Sequence, residues 1–225
     1  MSLQHTALAL AAGLLAAAAA QAQVGITADV GTTGLGAHIV VPMESYLNGR
    51  FGLNYLKHDF NRSSGMVDYN LNGKLQTFDA LVDWYPREGN SFRLTGGVVY
   101  NGSKFDVKAN ADKLGKFSIN GVQYSAADVG VLKGKVDFRK AAPYLGIGWG
   151  NALAPAHGSW NFNADLGAFY QGKANVNLAS IGCTTSQLVC TKLAEDVAAE
   201  RLRLADEASS YKFYPVLRAS VSYRF

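Results

Sequence analysis

The stretch Leu217-Arg218-Ala219-Ser220-Val221-Ser222-Tyr223-Arg224-Phe225 sets two populations of side chain against each other with a period of two. In an extended chain Leu217, Ala219, Val221, Tyr223 and Phe225 share one face, and Arg218, Ser220, Ser222 and Arg224 share the other. Such a strand needs an apolar medium on one side and a polar one on the other. A soluble sandwich supplies these as a dry core and a wet outer face; a membrane barrel supplies lipid outside and a polar interior.

Upstream, the same alternation recurs. Trp160, Phe162, Ala164, Leu166, Ala168 and Tyr170 alternate with Asn161, Asn163, Asp165, Gly167 and Phe169, and Leu145, Ile147 and Trp149 alternate with Tyr144, Gly146 and Gly148. Phe92, Leu94, Val98 and Tyr100 oppose Arg93, Thr95, Gly97 and Asn101; Phe78, Ala80, Val82 and Trp84 oppose Thr77, Asp79, Leu81 and Asp83; Phe51, Leu53 and Tyr55 oppose Arg50, Gly52 and Asn54. Leu35, Ala37, Ile39 and Val41 make one more apolar face. With the final stretch, these are seven strands. Val24, Ile26, Ala28 and Val30 most simply supply an eighth, and the flip of parity across residues 31–34 marks a bulge or tight turn. A strand within residues 117–138 is the alternative: Ile119-Asn120-Gly121-Val122 is a hairpin signal, although that hairpin could also project from a loop.

Aromatic residues gather near strand ends and small aliphatic ones in the middle, the distribution of lipid-facing strands with interfacial girdles. The opposite face carries Gly, Asn and isolated Asp and Arg, where a solvated sandwich face would carry Lys, Glu and Thr. The expectation is an all-β, antiparallel up-and-down transmembrane β-barrel of eight strands. Connections 86–90 and 151–159 are short, while 109–135 and 172–210 are long; with Phe225 at the periplasmic end, both long ones fall outside the cell.

Composition agrees. Residues 6–20 are almost entirely Ala and Leu and run into Ala20-Gln21-Ala22, a small-x-small cleavage pattern. Residues 1–22 therefore read as an export signal, although the segment before the apolar run lacks Lys and Arg, and residues 23–225 read as the barrel domain. No run of eighteen apolar residues follows, so a membrane location implies a closed barrel. The 21 Lys and Arg against 17 Asp and Glu are scattered, which gives no footprint for a nucleic-acid partner. The 24 glycines and 25 aromatics suit a crowded, curved sheet.

The charged positions on the inward parity are Arg50, Asp79, Asp83, Arg93, Asp165, Arg218 and Arg224. A turn symmetric about Glu88 would set Asp83 directly across from Arg93. Opposite charges paired across an eight-stranded lumen would fill it, which argues against a wide pore and gives these residues a structural role. Cys183 and Cys190, the only cysteines, are expected to pair, a closure of roughly 2–3 kcal/mol in the chain-entropy model. Residues 192–208 read as a helix of about four turns before the last strand. Its stripe of Leu193, Val197, Leu204 and Ala208 is expected to pack on the barrel rim or lumen.

Catalytic signals are thin. His157-Gly158-Ser159 resembles the His-x-Ser of lipid A deacylases, but it falls in a short turn away from the outer leaflet, and Gln171 stands where a supporting acid is wanted. His38 and His58 read as lumen or rim residues. There is no phosphate loop, zinc motif or dinucleotide fingerprint, so neither enzymatic activity nor a cofactor or metal is expected.

The last strand, with Tyr223 and Phe225, resembles the signal read by the outer-membrane barrel assembly machinery. Pro143-Tyr-Leu-Gly-Ile-Gly-Trp-Gly150, Asp165-Leu-Gly-Ala-Phe-Tyr-Gln-Gly172 and Tyr211-Lys-Phe-Tyr-Pro-Val216 resemble stretches of uncharacterised proteobacterial outer-membrane barrels. The mature chain is similar to small eight-stranded outer-membrane proteins of the A, W and X types. That resemblance is strongest in the second half. It implies an outer-membrane location, outer-membrane lipids and the assembly machinery as partners, and a monomer with a structural, surface-interaction or small-solute role.

Overall fold

Thirteen strands and two helices make up the described residues of the computed structural model, which are 24–64, 67–87, 89–110, 115–154 and 160–225. In chain order they are β1 (Gly25–Gly31), β2 (Gly34–Glu44), β3 (Leu47–Ser64), β4 (Val67–Trp84), β5 (Phe92–Asn101), β6 (Lys104–Asn110), β7 (Lys116–Ile119), β8 (Val122–Ser125) and α1 (Ala126–Val129). Then follow β9 (Val131–Asp137), β10 (Ala141–Trp149), β11 (Trp160–Tyr170), β12 (Asn175–Ile181), α2 (Gln187–Ala208) and β13 (Phe213–Arg224). The segment expected to be an export signal, residues 1–22, lies outside the described residues.

Eight of the strands close on themselves. β1 to β5 form an antiparallel meander, β10 pairs with β5, β11 with β10, and β13 lies between β11 and β1. The ring therefore has no open edge. The eighth strand is β1, joined to β2 through Thr32 and Thr33, with Gly31 paired to Gly34 and Gly34 at φ 105°, a conformation that favours glycine. The alternative eighth strand is a separate hairpin: Ile119 pairs with Val122, and Asn120 and Gly121 both have positive φ, as a type I′ turn requires.

Outward residues are apolar and exposed, with Phe162 79%, Leu145 76% and Leu35 66% accessible. In water so continuous an apolar surface would be unfavourable. Aromatic rings bound this band at both ends. Trp149 meets Phe92 edge-on at 5.6 Å and Trp160 meets Tyr223 at 5.0 Å near the chain termini; Tyr170 meets Phe213 at 5.2 Å at the opposite end, with Tyr55, Phe78 and Tyr100 on neighbouring strands. From Trp160 to Tyr170 the chain rises about 33 Å, or about 25 Å along the barrel axis at a tilt near 40°, the height of a lipid-facing band.

The two long connections are not simple loops. β4 bonds β5 through Thr77 to Trp84 and then β6 through Asp68 to Lys74, and β9 and β12 extend this sheet beyond the barrel. The β7–β8 hairpin and α2 cover one face of the extension, forming a cap. Its core contains Phe117, Ile119, Tyr124, Val129, Leu132, Leu193 and Val197. The expected packing of the helix stripe is thereby corrected: Leu193 and Val197 enter this second core, because the extended sheet offers an apolar face nearer than the lumen. The helix begins at Gln187 rather than 192, so Cys190 lies in its first turn. The Cys183–Cys190 disulfide ties that turn to the segment leaving β12 (Cα–Cα 6.0 Å).

Candidate functional site

The barrel interior is built by alternate residues of all eight strands. Arg50 on β3, Asp83 on β4, Arg93 on β5 and Asp165 on β11 are buried and meet as a quartet. Arg50 donates to Asp165 from both terminal nitrogens at 3.0 and 3.1 Å and to Asp83 at 3.1 Å; Arg93 donates to Asp165 at 2.8 Å and lies 3.5 Å from Asp83. Thr95 adds a hydroxyl bond to Asp83 at 2.6 Å. Two guanidinium groups face two carboxylates, so the charge cancels. The expectation that Asp83 lies across from Arg93 is corrected: its partner is Thr95, because the turn is centred one residue later, at Gly89. The contact with Arg93 is made diagonally.

A second quartet joins Asp29 of β1, His38 of β2, Asp79 of β4 and Arg218 of β13. His38 Nδ1 lies 2.7 Å from Asp29 and Nε2 lies 2.8 Å from Asp79, while Arg218 reaches Asp79 at 3.0 Å and Asp29 at 3.3 Å. Asn54 also donates to Asp79 at 3.2 Å. This quartet reaches charge balance with the imidazole protonated, the state in which both ring nitrogens donate. Asp29 was absent from the sequence-derived set of charged lumen residues and His38 was not assigned to the network, yet both sit on the inward parity; strand alternation was the signal that could have found them. Arg224 joins neither quartet and donates instead to the Leu153 carbonyl at 2.9 Å near the termini.

Glycines on the inner wall make room for these groups. A Cβ on Gly52 would come within 2.1 Å of the His38 ring, one on Gly36 within 2.5 Å of Asp29, and one on Gly148 within 2.7 Å of the Arg93 guanidinium. Leu81, Val99, Ala142, Tyr144, Phe169 and Val216 form a buried apolar cluster on the same inner wall, with Tyr214 stacked on Phe169 at 4.9 Å. Paired charge and close-packed apolar side chains together fill a lumen of this strand number.

The cap holds its own polar lock. Tyr124 donates to Asp196 of α2, as does Asn120 at 3.1 Å, with Lys192 3.7 Å away. Hydrogen bonds from Tyr124 and then Asn120 hold the Asp196 carboxyl below the usual range. Burial, and then the bond to Asp196, pushes Tyr124 up to about 12. A cavity of about 590 Å³ lies between α2 and the sheet, lined by Ile119, Leu132, Val136, Val176, Leu178 and Leu204 among others.

Residues His157, Gly158 and Ser159 lie outside the described residues. Gln171 follows the last residue of β11 and donates to the Lys212 and Tyr211 carbonyls. His58 is exposed on β3, beyond the girdle. Among the described residues no group of His, Cys, Asp and Glu is arranged to hold a metal ion. Tyr223 stacks edge-on between Trp160 and Phe225, and the Phe225 amide bonds the Val24 carbonyl at 3.1 Å.

Fold and inner wall define a class: the small, closed, antiparallel eight-stranded barrel. Two solved structures share the fold. CarO of Acinetobacter baumannii is 24% identical, with a TM-score of 0.57 over 90% of this chain and 98% of that one. CarO2 of Acinetobacter baumannii is 19% identical, with a TM-score of 0.58 over 91% and 100%. A major outer membrane protein from Thermus thermophilus matches at 17% identity and a TM-score of 0.45, too loosely to carry an argument. No protein-family model and no curated protein matches the chain.

Proposed function

We propose that this chain is an integral outer-membrane β-barrel protein of Gram-negative bacteria, a monomer with a closed lumen and a structural or surface-interaction role. One observation carries the reading: an apolar outer band bounded by two aromatic girdles surrounds an inner wall whose charges neutralise one another. Lipid around the band removes the cost of exposing it, and paired side chains leave little room for solute. In this reading the cap faces the medium, the termini face the periplasm, and the assembly machinery recognises Tyr223 and Phe225. No catalytic role and no cofactor are assigned.

Transport of a small solute is the alternative. A conducting path would require Arg50 to part from Asp165 and Arg218 from Asp79. Refolding the chain into bilayers, followed by gel migration with and without heating and by single-channel recording, tests both points. A heat-modifiable band without conductance events supports the closed barrel; a soluble species that ignores lipid would sink the membrane reading, and steady conductance would favour transport.

A further inference from the structure

The sheet rising from the barrel rim has two unlike faces. Phe105, Leu132, Val136 and Val176 point to the side that α2 and the hairpin cover. The other side continues the lipid-facing surface, sharing its parity with Phe51, Leu53 and Tyr55 on β3 and with Phe78 on β4. On it, Lys57 stands directly opposite Lys74, and Lys74 opposite Lys104, a single row across three strands. Four residue pairs further out, and so on the same face, Lys108 stands opposite Lys133. All five are exposed, and among the described residues no ion pair engages them. Asp137 stands across from Lys104 but accepts from Asn175 at 3.3 Å, and Asp106 stands across from a sixth exposed lysine, Lys135, so the face keeps a positive surplus.

Like charges set directly across a ladder destabilise it. Here they recur in two rows, with strands about 4.8 Å apart, close enough for neighbouring ammonium groups to share one phosphate. Lys57, Lys74, Lys108 and Lys133 also line a shallow depression of about 440 Å³, where Asp106 is the acidic member. The depth of the row is fixed by the girdle: the Lys74 ammonium lies 5.7 Å from the centre of the Tyr55 ring, and Lys57 is two residues, about 7 Å along the strand, beyond that ring. Immediately outside an aromatic girdle is where lipid head groups sit.

We infer that this face binds the phosphorylated head groups of the leaflet around the cap end. The inference rests on the membrane reading above. Charge complementarity and continuity with the lipid-facing band select the occupant.

The test uses the refolded full chain in phosphatidylcholine bilayers doped with bis-phosphorylated lipid A or its dephosphorylated form, with lipid retained on the extracted barrel counted by native mass spectrometry. The expected result is preferential retention of the phosphorylated form, weakening with salt. It should fall at least about tenfold in a Lys57→Gln, Lys74→Gln, Lys104→Gln triple variant and survive in the corresponding Arg variant. A Lys108→Gln, Lys133→Gln double variant serves as the second reading should the triple variant not refold. Insertion into phosphatidylcholine with equal retention of both lipid forms overturns this inference alone. Failure to insert at all overturns the membrane reading and this inference with it.

Discussion

At the scale of single residues, the inner wall is a set of charge balances that one substitution upsets. Asp165→Asn leaves Arg50 and Arg93 sharing only Asp83. The expected cost is about 3–5 kcal/mol, read from the urea midpoint of the lipid-embedded protein. Replacing Arg50 by Met together with Asp165 by Leu keeps Arg93 and Asp83 as a balanced pair, and this double change should cost less than Asp165→Asn alone. The reverse order would show that charge balance is not what the quartet contributes. Glycine positions separate in the same way. Gly52→Ala drives a methyl into the His38 ring and toward the Ala37 carbonyl at 2.5 Å, whereas a Cβ on Gly96 meets only Leu145 at 3.7 Å. The first should cost about 1–3 kcal/mol and the second less than about 0.5 kcal/mol. Equal melting temperatures for the two variants would count against a tightly filled lumen.

At the scale of elements, the cap is a second packing unit joined to the barrel through β4. Its helix is secured at the first turn by the disulfide and near the middle by Asp196. Cys183→Ser with Cys190→Ser should release roughly 2 kcal/mol of constraint locally. Faster amide exchange is expected across residues 183–193, with β10 and β11 unchanged; uniform acceleration through the barrel would contradict a separate cap. Acid acts on the same unit. Because hydrogen bonds hold folded Asp196 below its ordinary value of 3.8, its contribution is fully present above that value and is lost as pH falls through the folded one. Helix melting followed by circular dichroism should therefore be unchanged between pH 7 and 5 and shift downward near pH 3. The shift should shrink in Asp196→Asn, the remainder coming from Glu200, which hydrogen bonds from Arg203 and the Asn120 amide hold below its ordinary value. Most of this unit was hidden in the sequence: β6, β9 and β12 are seven-residue strands within or beside segments that read as long loops. Nothing in their local pattern announces a partner, since β6 finds its place only through the far half of β4.

At the scale of the whole molecule, the outer surface decides the medium. Leu166 lies midway along β11, between the girdles, and is 48% exposed. Leu166→Arg should cost about 2–4 kcal/mol in a bilayer, where an ammonium or guanidinium at mid-depth is poorly solvated. It should be nearly neutral if that face met water, so equal stability of the variant and parent in lipid would reject the membrane-facing assignment. What the amino-acid sequence settled by itself is which side chains share a face: a period of two needs no partner to be read. Seven such segments in a chain with no place for an open edge call for an eighth, while the choice between residues 24–30 and 117–138 fell to the assembled sheet. Which inward charges meet was beyond the sequence. Asp29, His38, Asp79 and Arg218 come from four strands separated by up to about 190 residues, and the stagger between strands sets their heights; a shift of one residue in one turn moved Asp83 from Arg93 to Thr95. Register and closure are properties of the assembled sheet, so the quartets, the lysine rows and the cap exist only once the strands have found one another.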